Sequence, residues 1–338
     1  MRFQRLLGGL MALVFAAGVV ADEPVVIKFS HVLSPDTPKG RAALRFKRLA
    51  EETTEGRVKV EVYPNAELYG DREELEALQS GAVQMLAPSL SKFEPLGVGE
   101  FELFDLPYLF PSRKALYAVM DGDVGVALLA KLESKGIRGL AYWDNGFKHM
   151  SANWPLRTPA DCVGLKIRVQ SSDVLKAQMR ALGAVPVVMA FSAVRAALAD
   201  GALDGTENPL SNLYVGKIHE VQRHLILSGH GYLGYAVIVN KKFWDGLAPP
   251  LRAALEQAMV EATRYQRESA QRETEEALEK IKVAGTTKVY VPTAQELSLW
   301  RQALLPVHKK FEGRIGKDRL AAVYRITAGM GDTESSLK

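Results

Sequence analysis

The chain has 338 residues, 43 Lys and Arg against 39 Asp and Glu, a formal net charge of +4, and 47% hydrophobic residues. Acids and bases are interspersed, so the clustered basic face of a nucleic-acid binder is absent and no nucleic-acid partner is expected. Cys162 is the only cysteine, which excludes an internal disulfide and leaves it as a small buried or edge residue.

The first stretch, "MRFQRLLGGLMALVFAAGVVA", places Arg2 and Arg5 before an apolar run that ends in small residues at Ala21. That is the layout of a secretory signal peptide over residues 1–21, with cleavage before Asp22. The run is short for a membrane span, and no later segment is apolar enough to be one. Loss of the two arginines lowers the net charge from +4 to +2, so an exported, soluble, nearly neutral protein is expected.

"PVVIKFSHVL" alternates as a half-buried strand. "KGRAALRFKRLAEETTEG" follows as an amphipathic helix with Ala43, Leu44, Phe46, Leu49 and Ala50 inward, stopped at Gly56. "RVKVEVYP" predicts a strand, "DREELEALQSG" a helix capped by Asp71, and "AVQMLAP" a strand. Strands and helices alternating at this spacing predict an α/β unit with a largely parallel sheet.

The pattern then restarts. "GIRGLAYWDNG", "KHMSANWPLRTPADCVG" and "GLKIRV" read as strands with loops, and "SDVLKAQMRALG" as a helix. "VPVVMA" is a strand, "SAVRAALADG" a helix and "ALDGTENP" a strand entering a turn. "RHLILSGHGYLGYAVIVNKKFW" reads as two strands around a glycine-rich bend. Two sets of βα units without a low-complexity linker predict two lobes, connected more than once, with a ligand cleft between them. Residues 249–285 keep helical periodicity with a thin apolar stripe laced with charges, which predicts a long helix passing across both lobes. "TAQELSLWRQALLPVHKKFEGRIG" and "KDRLAAVYRITA" add helices to the outer coat.

"HEVQRH" separates His219 and His224 by five positions, whereas a helical zinc site needs histidines four apart, so no metal site is expected. "DGDVG" lacks the third acid and the glycine placement of a calcium loop. Neither a G-x-S-x-G elbow nor a Walker loop occurs, which leaves catalysis without a motif.

Several longer stretches share one resemblance. "IKFSHVLSPDTPKGRAALRFKRLAEETTEGRVKVEVYPNAELYGDRE", followed in order by "FDLPYLF", "GLKIRV", "MAFSAVRAAL" and "GALDGTENPLSN", resembles the periplasmic solute receptors of TRAP (tripartite ATP-independent periplasmic) transporters. Within that family, "SHVLSPDTPKG", "APSLSKF" and "AYWDNGFKHMSAN" are similar to the branch that binds C4-dicarboxylates such as succinate, fumarate and malate. The resemblance implies an α/β fold of the two-lobed, type II periplasmic-binding-protein architecture, with a long helix spanning both lobes. The lobes are expected over residues 22–145 with 234–272, and residues 146–233 with 273–338. A monomeric periplasmic receptor is implied, not an enzyme and without a cofactor, that closes on a small organic acid and delivers it to TRAP permease membrane subunits. The alternatives are the same receptor for another small carboxylate (a 2-oxo or aromatic acid), a periplasmic enzyme acting on organic acids, or a sensor presenting its ligand to a signalling protein.

Arg168 stands at the last polar-face position of "GLKIRV", near the carboxyl end of a strand, where α/β sheets open their ligand crevices. A planar guanidinium matches a carboxylate with two parallel hydrogen bonds; by spacing alone it is equally a solvated charge. The resemblance implies that Arg168 pairs with the ligand carboxylate. Asn208 beside Pro209 reads as a helix cap, and the "TENP" match implies that its amide contacts the same carboxylate. A dicarboxylate needs a second cation. Lys39 at a helix start, where the dipole disfavours it, Lys92 and Lys148 are the candidates, with Ser89 as a hydroxyl donor. Lys148 stands where sialic-acid-binding members have arginine, which argues against a sugar acid. Phe191 resembles the family's cleft aromatic. His31, Trp143, His230 and Tyr235 complete the candidates, each otherwise a core or satisfied polar residue.

Overall fold

The structure, a computed structural model, describes residues 23–330, so the expected signal peptide lies outside the described residues. Its strands are β1 (Val25–Ser30), β2 (Val58–Tyr63), β3 (Met85–Leu86), β4 (Ile137–Ala152), β5 (Lys166–Val169), β6 (Val185–Val188), β7 (Gly205–Asn208), β8 (His224–Asn240) and β9 (Lys288–Tyr290). The helices begin with α1 (Pro38–Thr53), α2 (Glu74–Ser80), α3 (Arg113–Asp121), α4 (Asp123–Lys131), α5 (Asp173–Ala181) and α6 (Phe191–Ala199). They continue with α7 (Leu210–Val215), α8 (Lys241–Asp245), α9 (Pro249–Ala284), α10 (Ala294–Leu304), α11 (Pro306–Ile315) and α12 (Lys317–Thr327).

Among the described residues all strands join one mixed sheet in the order β2-β1-β3-β8-β4-β7-β5-β6, with β9 beside β8. β1 lies parallel to β2 and β3 at one end, and β5 parallel to β6 and β7 at the other. Two long antiparallel strands, β4 and β8, join these ends. Ile137–Gly146 of β4 pairs with Leu233–Asn240 of β8 beside β3, while Met150–Ala152 pairs with His224–Ile226 beside β7 and β9. The glycine-rich bend expected between two strands falls inside one continuous β8, where Leu227, Ser228, Gly229 and His230 have no partner on β4. Register shifts at Gly139/Ala141, Asp144/Gly146 and Lys148/Met150 absorb the curvature as bulges, which let a strand bend without leaving its ladder. Gly146, with φ 129°, occupies backbone space that L side chains rarely adopt. Gly229, Gly231 and Gly234 spell the G-x-G-x-x-G of a dinucleotide turn, but all three lie inside β8 rather than between a strand and a helix.

α1 buries Ala42, Ala43, Phe46 and Ala50 against β1 and β2, a stripe at helical spacing. Leu44, expected inward, is 44% exposed because it falls off that stripe. Thr37 caps the helix by accepting from the Gly40 amide. A Cβ at Gly40 would lie 2.5 Å from the Ser34 carbonyl oxygen, so this close approach needs glycine. The helix start carrying Lys39 is thereby held against the preceding loop.

α9 is 36 residues long and packs against α1, β4 and α7, in agreement with a helix spanning both lobes. Gln266 on its buried face accepts from the Asp144 amide and donates to the Asp144 carbonyl, replacing ladder partners at the β4 bulge. The last two helices pack into a core in which Val307, Phe311, Ile315, Leu320 and Val323 are buried with Phe101 and Leu116. Within the described residues no helix is long and apolar enough to cross a membrane.

Candidate functional site

A cavity with about 330 Å³ of unfilled space, mouth included, opens between the two ends of the sheet. Val32, Leu33, Lys39, Ser89 and Lys92 line it from the side of β1 and β3. Arg168, Gln170, Phe191, Asn208 and Asn212 line it from the side of β5 and β7. Leu233 and Tyr235 of β8 form its floor, and Asp71 stands at its mouth. Seven of the expected site residues thus converge here: Arg168, Asn208, Lys39, Lys92, Ser89, Phe191 and Tyr235.

The period-two reading of β5 places its side chains correctly: Ile167 and Val169 enter a core with Leu175 and Trp300, and Arg168 takes the other face. At Lys166 that face is exposed, but at Arg168 it is not wet. Arg168 is 3% exposed, its Nε donates to the Met189 carbonyl at 2.8 Å, and its guanidinium lies 6.0 Å from the Phe191 ring centre. Its terminal nitrogens have no hydrogen-bond partner among the described residues. Burial lowers its pKa, with Asp71 and Glu207 acting in the opposite direction. Asn208 lies in β7, not at a helix cap, since Pro209 holds that position for α7. Its amide donates weakly to Thr206 Oγ1 and accepts from Asn212 Nδ2, both at 3.3 Å.

Lys39 is 1% exposed in the first turn of α1. Its Nζ donates to the Ala87 carbonyl at 3.1 Å and sits 4.0 Å from the Tyr235 ring centre. No carboxylate lies within ion-pair reach of it among the described residues. Burial lowers its pKa to about 7, with the more distant Glu74 and Asp71 carboxylates opposing and the charge on Lys92 adding to it. Tyr235 Oη, Gln170 Oε1 and Asn212 Oδ1 are buried in the cavity wall without a hydrogen-bond partner. Buried polar atoms rarely stay unpaired, so a polar guest suits this wall.

Lys92 differs from Lys39, because its ammonium contacts both Asp71 and Glu74. Burial opposes its charge, but the two carboxylates outweigh that and raise its pKa. Asp71 does not cap α2, whose N-cap is Glu73 with no side-chain bond. Instead its Oδ2 accepts the Phe191 amide at 2.9 Å, across the cavity mouth at the start of α6. Despite burial, Lys92 holds its pKa down to about 2.

Four expected residues do not line the cavity. Lys148 is fully buried on β4 with Nζ 2.8 Å from Glu207 Oε1. His230 reaches the other oxygen of Glu207 at 3.1 Å, and its Nδ1 lies 2.8 Å from Ser228 Oγ. Ser228, His230 and Glu207 thus have the connectivity of a hydrolytic triad. Each is at most 2% exposed and outside the cavities described, which leaves a substrate no access. Trp143 packs against Phe29 in the core and donates to Thr263 Oγ1 at 3.0 Å. His31 is fully buried beside Phe29, with both ring nitrogens unpartnered, and burial pushes its pKa to about 3. Lys148 and His230 are held by Glu207, whereas Trp143 and His31 pack with Phe29 in the core.

Asp71, Gln170 and Asn212 line the cavity without having been candidates. Asn212 follows Asn208 by four positions in "NPLSN", a spacing that could have revealed it. Gln170 directly follows β5 and shares the strand-end logic that singled out Arg168. Among the described residues no group of His, Cys, Asp or Glu could hold a metal ion.

The model of the bacterial extracellular solute-binding protein family 7 matches residues 29–314. The chain is 59% identical over 329 residues to the C4-dicarboxylate-binding periplasmic protein DctP of Rhodobacter capsulatus, covering 96% of this chain and 99% of the relative. It is 40% identical over 306 residues to the C4-dicarboxylate-binding protein DctB of Bacillus subtilis, covering 90% and 87%. A TRAP periplasmic solute binding protein of Sulfurospirillum deleyianum with bound succinate superposes with a TM-score of 0.86 at 45% identity, over 89% of this chain and 99% of that one. One of Pseudomonas aeruginosa with bound L-malate gives 0.83 at 44% identity, over 85% and 100%. With matches along this much of its length and in a common two-lobed fold, the chain belongs to family 7 of the bacterial extracellular solute-binding proteins.

Proposed function

We propose that this chain is a periplasmic receptor that encloses a C4-dicarboxylate such as succinate or malate and hands it to a TRAP-type membrane permease, acting as a monomer and without catalysis. The names of the relatives and the ligands of the solved neighbours support this ligand class. The observation that carries it is a pair of cations. Arg168 and Lys39 line one cavity from its two sides, and neither has a carboxylate within ion-pair reach among the described residues. A buried cation without a counter-charge is costly, and a dianion supplies one for each. The Arg168 fork and the Asn208 amide suit one carboxylate. Lys39, with the Ser89 and Tyr235 hydroxyls beside it, suits the other.

Loading requires the lobes to part, and β4 and β8 are the strands that would flex, at the bulges and glycines near Gly146. On this reading the first lobe comprises residues 23–145 and 234–272 with α11 and α12, and the second residues 146–233 and 273–305. Calorimetric titration with succinate and butyrate tests the assignment. Butyrate leaves one buried cation unpaired, a loss of about 2–5 kcal/mol, so succinate should bind at least about thirtyfold more tightly. Equal affinities would sink the dicarboxylate assignment and leave the receptor fold intact.

A further inference from the structure

Three cations line the cavity, and they are not equivalent. Arg168 and Lys39 lack carboxylate partners among the described residues, whereas Lys92 contacts two, Asp71 and Glu74. Asp71 does more than neutralise Lys92. Its second oxygen takes the Phe191 amide at the first turn of α6, and it lines both the deep cavity and an outer pocket bounded by Ala66, Gly70, Ala190 and Ser192. A carboxylate of the chain itself therefore stands at the mouth, sharing Lys92 with Glu74 and holding a helix-start amide that would otherwise welcome an anion. We infer that Asp71 is a specificity-determining residue: it reserves Lys92 and the α6 amide, leaves two cations for the guest, and excludes a third carboxylate.

This rests on the dicarboxylate assignment and deepens it. Repulsion by a fixed like charge discriminates as effectively as a missing contact. A tricarboxylate would either face Asp71 or have to displace it from Lys92 and Phe191.

The test is calorimetric titration of succinate and propane-1,2,3-tricarboxylate into the wild-type protein, Asp71→Ala, and Asp71→Ala combined with Lys92→Met. The wild-type protein should favour succinate by about a hundredfold, the scale of one buried uncompensated charge. Asp71→Ala should shrink that ratio by about tenfold or more, and adding Lys92→Met should restore most of it. A ratio unchanged in Asp71→Ala, or shrunk equally in the double variant, overturns the inference. Should Asp71→Ala fail to fold, Asp71→Asn keeps an acceptor for the Phe191 amide and removes only the charge. Its ratio should fall by about threefold or more, and an unchanged ratio is again fatal. Wild-type succinate binding checks the dicarboxylate assignment alone, whereas the change in ratio checks Asp71.

Discussion

Lys92 and Lys148 are both buried lysines that meet buried acids, yet their surroundings give them different work. Lys148 lies between the crossing strands, with Glu207 shared between it and His230, and none of them lines either of the two cavities described. Lys92 meets Asp71 and Glu74 at the cavity wall, where Asp71 retains 16% side-chain exposure and also accepts the Phe191 amide at the start of α6. The first cluster lines neither cavity, so its members hold the fold together and bear on a guest only through the charge of Glu207 near Arg168. The second is open on one side, so the same chemistry sets which charges a guest meets. Buried charge marks a functional site only where a cavity gives it somewhere to act.

Breaking the first cluster should have the largest effect. Lys148→Met leaves Glu207 buried without its main counter-charge, a loss of about 3–5 kcal/mol in denaturant unfolding. Adding Glu207→Gln should recover a large part of it. A loss of less than about 1 kcal/mol would mean that the cluster is not closed to water.

Arg168→Lys should come next. It keeps a charge but loses the fork and the bond to the Met189 carbonyl, so succinate affinity should fall about thirtyfold, roughly 2 kcal/mol. Calorimetry that shows unchanged affinity would remove Arg168 from the site. Because Arg168 is buried, some loss of stability should accompany this change, contrary to what a wet strand face would give.

Lys92→Met should cost less stability than Lys148→Met, about 1–3 kcal/mol. Burial already raises the pKa of Glu74, so Glu74 can take up a proton once its lysine is gone, and Asp71 is partly hydrated. Thermal unfolding of the two variants side by side measures the contrast, and equal losses would erase the distinction between the clusters.

The last effect concerns pH. In the free protein Lys39 has its pKa lowered to about 7 by burial, and a bound carboxylate would raise it. Above pH 7 binding must then take up a proton, so succinate affinity should weaken by about tenfold per pH unit until the pKa of the complex is reached. Titrations at pH 6 to 9 measure this, and Lys39→Met should flatten the profile. A flat wild-type profile would separate Lys39 from the ligand. On the acid side Asp71 and Glu207 behave alike, whereas burial raises the pKa of Glu74. Asp71 and Glu207 are both held down to about 2, so their stabilisation is present above the unfolded carboxylate range and is lost as pH falls through about 2.

Much of this was legible in the chain. Alternation in "GLKIRV" placed Ile167 and Val169 inward and Arg168 on the other face, and the periodicity over 249–285 gave the long helix. The glycines of β8 misled, because a bulged strand and a turn use the same residue for the same backbone freedom. Asp71 misled in the same way: an acid before a helix reads as a cap, and only the position of Phe191, 120 residues later in the chain, shows what its carboxylate accepts.

The sequence by itself determined the order of strands and helices, the family, and the cation at the end of β5, because period, capping chemistry and long motifs are local. It could not rank Lys39, Lys92 and Lys148, since a lysine's role depends on which acids reach it. Those acids, Glu74, Asp71 and Glu207, come from other elements, brought into place only when the sheet closes and water is expelled. Charge pairing in a low dielectric is decided over a few ångströms of space rather than along the chain, and so it belongs to the tertiary structure.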